Sequence, residues 1–259
     1  MAEQTASVTA TIDLVLDEQP WRMQLTVPAG PATPGQLLHL LRGLTDAVVD
    51  AAVEKSAAQG RPISCRKGCG ACCRQLVPIA PAEAHRLRQV IAAMPEPRRN
   101  EVLNRFEAAH AKLAATGMLD RLRAPARLDE ASRRRLGIDY FRHGVACPFL
   151  EQESCSIYTE RPLACREYLV TSPATHCAQP TPDSIDCLPI AVQVSRALRK
   201  LEASQDMQDK VGLSWVPLIT APEWARAHPE APPTISGPAQ IESLFRWLGT
   251  APSADKAEA

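Results

Sequence analysis

Two alternating patterns of apolar and polar positions open the chain. From Val8 to Leu16 the residues Ile12, Leu14 and Leu16 recur at every second position, and from Trp21 to Val27 the series Trp21, Met23, Leu25, Val27 alternates with polar residues. A period of two marks strands with one buried face, and residues 17–20 are then the turn of a β-hairpin. The period changes at Thr33, an N-cap residue followed by Pro34 at the first helical position. Leu37, Leu41, Leu44, Val48 and Ala52 recur at helical spacing until Gly60, which predicts a long amphipathic helix. Leu87, Val90, Ile91 and Met94 share one face of a second helix, ended by Pro95. Two Arg-rich, half-exposed helices are predicted over 98–116, on Val102, Phe106, Ala109 and Leu113, and over 129–143, on Leu136, Tyr140 and Phe141. In residues 147–187, Pro, Ser and Thr favour loops and turns. Helices return at 190–203 and 241–248, on either side of a Pro-rich stretch from Trp215 to Pro238, and residues 251–259 read as a disordered tail. The predicted class is α+β, mostly helical, with an N-terminal β-hairpin and a loop-rich cysteine core. The expected units are a hairpin and helix (1–60), a cysteine domain (61–190) with a helical insertion at about 81–144, C-terminal helices (191–250) and the tail.

Composition narrows the class. The 259 residues are 45% hydrophobic and 22% charged, with 29 basic and 29 acidic side chains, the profile of a globular protein rather than a fibrous or disordered one. With only 4 Phe, 4 Trp and 3 Tyr, aliphatic residues must fill the core. The 23 Pro, nearly twice the usual share of about 5%, announce rigid turns and Pro-bounded helices. No apolar stretch reaches the roughly 18 residues of a membrane span, and the first residues lack the basic and apolar regions of a secretory signal, so a cytoplasmic protein without membrane association is expected. The run Arg133-Arg134-Arg135 reads as a solvated helix face, since zero net charge and few aromatics argue against a nucleic-acid partner. A protein partner remains open.

The nine cysteines carry the chemistry. Four lie in the nine residues from Cys65 to Cys73, and five lie between Cys147 and Cys187. In a reducing compartment, clustered thiols point to metal ligation or redox chemistry rather than a disulfide framework. Cys65, Cys69, Cys72 and Cys73 fall at offsets that place them on one face of a helix, but Gly68 and Gly70 favour the alternative of a knuckle-like turn feeding a helix from Ala71. Adjacent helical residues point about 100° apart, so Cys72 and Cys73 do not easily share one tetrahedral ion, which hints at two metals or at one cluster with a neighbouring thiol. The eight cysteines up to Cys177 suffice for two four-sulfur sites, and spacing does not choose between zinc and iron–sulfur. The number of thiolates and the Cys72-Cys73 pair lean toward a 4Fe-4S cluster. Arg66, Lys67, Arg74, Arg161 and Arg166 flank the cysteines and oppose the roughly two negative charges of a four-thiolate site.

The strings CRKGCGACC at 65–73, CPFL at 147–150 and CSIYTERPLACREY at 155–168 resemble the YkgJ family of cysteine-cluster proteins, whose CxxCxxCC domain is described as zinc- or iron-chelating. The resemblance covers roughly 65–177, departs from the family name in a three-residue first spacing, and matches Cys177, after Thr175-His176, to a trailing cysteine. It implies metal chelation by Cys65, Cys69, Cys72, Cys73, Cys147, Cys155, Cys165 and Cys177, but supplies no reaction. Cys187 has no counterpart and reads as a packed thiol. Tyr158, Arg161 and Pro162 read as a structural corner that aims Cys155 and Cys165, and His143 and His176 are the only histidines close to a cysteine in sequence.

Three other readings compete. CxxxCxxC at 65–72 is the form of a radical-S-adenosylmethionine cluster motif, but the chain lacks the alternating strands and helices of a β/α barrel. A thiol redox switch could use the Cys72-Cys73 pair. The cysteine domain is also similar to part of the bacterial flagellin lysine methylase, which implies an S-adenosylmethionine-dependent, cluster-containing methyltransferase, although no methyl-donor motif is recognisable. Whether the protein is an enzyme is not decided by the sequence.

Overall fold

The computed structural model describes residues 6–16, 19–123, 130–181, 184–205 and 215–249. The tail read from 251–259 lies outside them. In chain order the elements are strands β1 (Ser7–Leu16) and β2 (Gln19–Pro28), helix α1 (Pro34–Ala58), strand β3 (Pro78–Ile79), helices α2 (Pro81–Ala93), α3 (Glu96–Ala114), α4 (Met118–Arg123) and α5 (Glu130–Arg142), strands β4 (Leu150–Glu151) and β5 (Ser154–Cys155), helices α6 (Leu163–Glu167) and α7 (Val194–Gln205), strand β6 (Val216–Pro217), and helices α8 (Ala221–Ala227) and α9 (Gly237–Gly249). The class is α+β and mostly helical, as the periodicity predicts.

The N-terminal strands pair antiparallel from Ser7–Pro28 to Leu16–Gln19. Gln19 and Pro20 therefore belong to the second strand rather than to the turn. Leu25 and Val27 are buried while Arg22, Gln24 and Thr26, which alternate with Met23, Leu25 and Val27, are exposed, the expected alternation of a sheet packed on one face. The second strand packs on α9, and in α1 Leu37, Leu38, Leu41, Leu44 and Val48 are all but inaccessible. At about 1.5–3 kcal/mol for each large apolar side chain removed from water, this stripe is a principal stabiliser of the fold. It joins β2, α7 and α9 in one hydrophobic core that includes Val27, Leu198 and Leu244.

A second core is built by α2 to α5 and α8, with Leu87, Phe106, Leu122, Leu136 and Phe149 at its centre. The two cores meet at the cysteine segments. Ile79 belongs to one and Ala80 to the other, while Leu163 lies in the α1 core and Cys165, two residues on, packs against the second. Two elements in this region are absent from the sequence reading. A two-residue ladder joins Pro78–Ile79 to Val216–Pro217, and α8 occupies part of the Pro-rich stretch, with Pro222 in its first turn where a missing N–H costs nothing. The helix expected from residue 190 begins at Val194. No helix among the described residues is long and apolar enough to cross a membrane.

Candidate metal centre

Four short segments bring the cysteines together, and each is folded by local rules. Residues 65–70 form the knuckle-like alternative rather than a helix. The Cys69 N–H donates to the Arg66 carbonyl at 3.1 Å, and Gly68 takes φ +85°, a conformation open to glycine. Ala71–Arg74 then make a single 3-10 turn carrying Cys72 and Cys73, in place of the helix that the alternative expected from Ala71. Gly70 is required by closeness: a Cβ there would stand 2.5 Å from Glu153 Oε2 and 2.8 Å from Leu150 Cδ1.

The third segment is the tight hairpin of β4 and β5. Its turn residues Gln152 and Glu153 have φ of 48° and 55°, the left-handed pair that a two-residue hairpin turn demands and that non-glycine residues adopt only at a cost. Glu153 is held by a two-pronged pair with Arg74, at 3.0 and 2.7 Å, which clamps this hairpin over the 71–74 turn. The fourth segment runs from α6 through the 3-10 turn at 174–178. Ser64 anchors it to the first cysteine loop: its N–H donates to the Val170 carbonyl at 2.9 Å and its hydroxyl to the Ser172 carbonyl. The Val170 N–H in turn donates to Cys65 Sγ at 3.4 Å.

Buried Glu83 positions α6. Its carboxylate accepts the Ala80 N–H at 2.9 Å and the Leu163 N–H at 2.8 Å, so one side chain caps the start of α2 and fixes the start of the helix that presents Cys165. Burial pushes the Glu83 carboxyl up, against the two N–H groups that favour its charged form. Glu167 plays the same part at the other end of α6, accepting the Ser195 N–H at 2.9 Å and the Ser195 hydroxyl at 2.5 Å, and burial raises its carboxyl to about 7.

Seven of the eight expected ligands, all but Cys69, are linked electrostatically through Cys72. Its thiol is close enough to act electrostatically on Cys65, Cys73, Cys147, Cys155, Cys165 and Cys177, and Cys69 acts on Cys65 and Cys177. Burial raises Cys147 to about 12 and Cys177 to about 11, and it also raises Cys65, Cys155 and Cys165. The adjacent thiols of Cys72 and Cys73 hydrogen-bond each other, which lowers Cys72 and raises Cys73. The first proton leaves this pair readily, and the second only against a neighbouring negative charge. Arg161, whose guanidinium lies 5.7 Å from the Tyr158 ring centre, stabilises the thiolates of Cys65, Cys72, Cys155 and Cys165.

The donor set fits zinc or iron–sulfur in chemical type, because sulfur is what remains to bind. Carboxylates that could compete are committed to cations: Glu151 to Arg98 and Arg105, Glu160 to Arg42 and Arg86. His176 is exposed, with Nδ1 2.7 Å from the Ser184 carbonyl. Among the described residues, no group of three or more His, Cys, Asp or Glu side chains is arranged to hold a metal ion as it stands. The backbone gathers the sulfurs without closing them on one point. Cys187, which the sequence leaves apart, sits at the edge of the group: its backbone bridges to Val170 and its exposed thiol is hydrogen-bonded by Tyr168.

Residues 64–184 match the family model CxxCxxCC, "Putative zinc- or iron-chelating domain". The segment, under half of the chain, is similar to that domain. The YkgJ family is this same family, and the resemblance drawn from the three cysteine strings holds. The CxxCxxCC match begins one residue before Cys65 and ends beyond Cys177, so it takes in all eight expected ligands and leaves out Cys187. Neither the curated proteins nor the solved structures contain a match to the chain.

Proposed function

We propose that the protein binds zinc or an iron–sulfur cluster through the thiolates of Cys65, Cys69, Cys72, Cys73, Cys147, Cys155, Cys165 and Cys177, and that this chelation ties the CxxCxxCC domain together. The observation that supports the reading is that Cys72, on one 3-10 turn, acts electrostatically on six of the other cysteines, drawn from segments up to 112 positions apart. Sulfur-only donors select zinc or iron–sulfur over hard cations. Bound zinc would supply a closed structural crosslink, and a 4Fe-4S cluster would add one-electron chemistry. The chain's own residues do the rest. Arg74 and Glu153 press the β4–β5 hairpin onto the 71–74 turn, Glu83 fixes the start of α6, and Arg161 offsets negative charge on four of the sulfurs.

Burial makes Cys65, Cys147, Cys155, Cys165 and Cys177 reluctant to ionise, so binding through them must displace protons. The test is substitution. Cys69→Ser and Cys165→Ser are each expected to lose bound metal and much of the folded population, because the unfolded chain does not preassemble sulfurs 96 positions apart. Cys187→Ser is expected to keep both. Equal metal content in all three variants, measured by elemental analysis, contradicts the assignment.

A further inference from the structure

The N-terminal hairpin is a two-stranded sheet, so each of its strands has one edge paired and one left over. Backbone pairing decides which groups face outward. Hydrogen-bonded pairs alternate along an antiparallel ladder, and the register that sets Ser7 opposite Pro28 sets Ala6 opposite Ala29 one step earlier, where the Ala29 N–H donates to the Ala6 carbonyl at 2.8 Å. Even-numbered residues of β1 therefore bond to β2. Ser7, Thr9, Thr11, Asp13 and Val15 turn their N–H and C=O groups to the open edge of β1, and on β2 the outward positions are Pro20, Arg22, Gln24, Thr26 and Pro28. Thr9 and Thr26 agree with this, since side chains come closest in pairs without backbone bonds and their hydroxyls are 2.8 Å apart.

The two edges are built differently. The β2 edge carries near each end a Pro, which has no N–H to offer, and Arg22 lies between them. Just beyond it the chain is closed by the start of α9: Pro31 bridges to Ser236, and the Gly237 N–H donates to the Gly30 carbonyl at 3.1 Å. Pro, charge and a covering segment are how sheets blunt an edge. The β1 edge, SVTATIDLVL, has neither Pro nor Gly, is rich in β-branched residues and bears one charge, Asp13. Its faces are open too. Ser7, Val8, Thr9 and Thr11 are exposed, and Val8 is 42% exposed although it stands opposite the buried Val27, on the face that packs on the core.

We infer that the β1 edge is an interaction surface for a second copy of this chain, the two edges pairing antiparallel about a two-fold axis at Thr11 to make one four-stranded sheet. The occupant follows from the edge itself. Two-fold pairing must keep the period of two in step, or the apolar face of one copy turns to solvent, and it must set outward groups opposite outward groups. Placing Thr11 opposite Thr11 of the second copy does both. Thr9 then stands opposite Asp13 and Ser7 opposite Val15, so every outward residue of β1 gains a bonded partner. Asp13 meets a threonine, whereas an axis at Asp13 would set two like charges face to face, which is destabilising. The exposed Val8 comes opposite Leu14 of the second copy, which its own ladder sets beside Trp21. Apolar rows thus continue across the core-side face, and Thr9, Thr11 and Asp13 make polar rows on the other. Such a contact closes at two copies, and it is independent of metal chelation.

The test is sedimentation equilibrium of the full chain, joined to amide hydrogen exchange. The wild type is expected to sediment as two chains, and Thr11→Lys and Thr11→Pro as one. Lys opposes Lys at the axis, and Pro removes an N–H that β2 does not use. Circular dichroism checks folding, and Thr11→Lys, which alters only an exposed side chain, decides the matter if Thr11→Pro misfolds. In the wild type the amides of Thr9, Thr11 and Asp13 should exchange slowly. In Thr11→Lys those of Thr9 and Asp13 should lose that protection, while those of Val8, Ala10 and Ile12, bonded to β2, keep it. A wild type that remains one chain up to its limit of solubility overturns the inference. So does a dimer that survives Thr11→Lys, or one whose Thr9 and Thr11 amides exchange freely. Slow exchange of these amides in a monomer would show that another segment of the chain covers the edge, and overturns it as well.

Discussion

Glu83 shows how one side chain can hold a site it never touches. Its two oxygens each satisfy a buried backbone N–H, one at the start of α2 and one at the start of α6. A buried donor left without a partner costs about 1–3 kcal/mol, so Glu83→Ala is expected to destabilise the protein by about 2–4 kcal/mol. It is also expected to weaken metal retention, since Cys165 follows Leu163 by two residues. Glu83→Gln keeps one acceptor oxygen and should fall between. Chemical denaturation and metal content of the three proteins check the order, and an unimpaired Glu83→Ala contradicts it. Nothing in the sequence marks Glu83 for this role. Its place three residues after Ala80 signals a helix start, but its second partner lies 80 positions away. The cysteines are the opposite case, because their density is visible without any structure.

Elements divide along the same line. Long periodic helices such as α1 and α3 are legible because their buried stripes repeat over several turns. The two-residue strands at 78–79 and 216–217 and the Pro-containing α8 are not, since two residues have no period and tertiary pairing creates them. The Gln152-Glu153 turn was hidden for a related reason: left-handed backbone usually carries Gly or Asn, and here an ion pair with Arg74 supports it instead. Two glycines separate the site from the frame. A Cβ on Gly70 would press into Glu153 and Leu150 of the β4–β5 hairpin, whereas one on Gly237 would meet the Pro28 carbonyl where α9 approaches β2. Overpacking costs about 1–3 kcal/mol, so both Gly70→Ala and Gly237→Ala should lower the melting temperature. Only Gly70→Ala should also impair metal binding, and equal metal content in the two variants would show that the hairpin does not help to seat the sulfurs.

At the scale of the molecule, two hydrophobic cores come together where the cysteine loops lie. The α1 core brings β2, α7 and α9 to one side, and the second core brings α2 to α5 and α8 to the other. The loops between them anchor Phe149 and Ile157 in one core and Leu163 in the other, and are fixed further by side-chain ties such as Ser64 to Val170 and Arg74 to Glu153. Spacing could announce a thiol centre in such loops, but not how the segments are tied together, because that depends on hydrogen bonds between residues about a hundred positions apart. A domain arranged in this way should hold metal as isolated. The most direct measurement is elemental and acid-labile sulfide analysis, with a visible spectrum, of protein purified without oxygen. Zinc in a colourless protein, or iron with sulfide and a broad absorption near about 400 nm, is the predicted result. Folded protein that contains neither metal, with all its thiols free to react, would contradict the account.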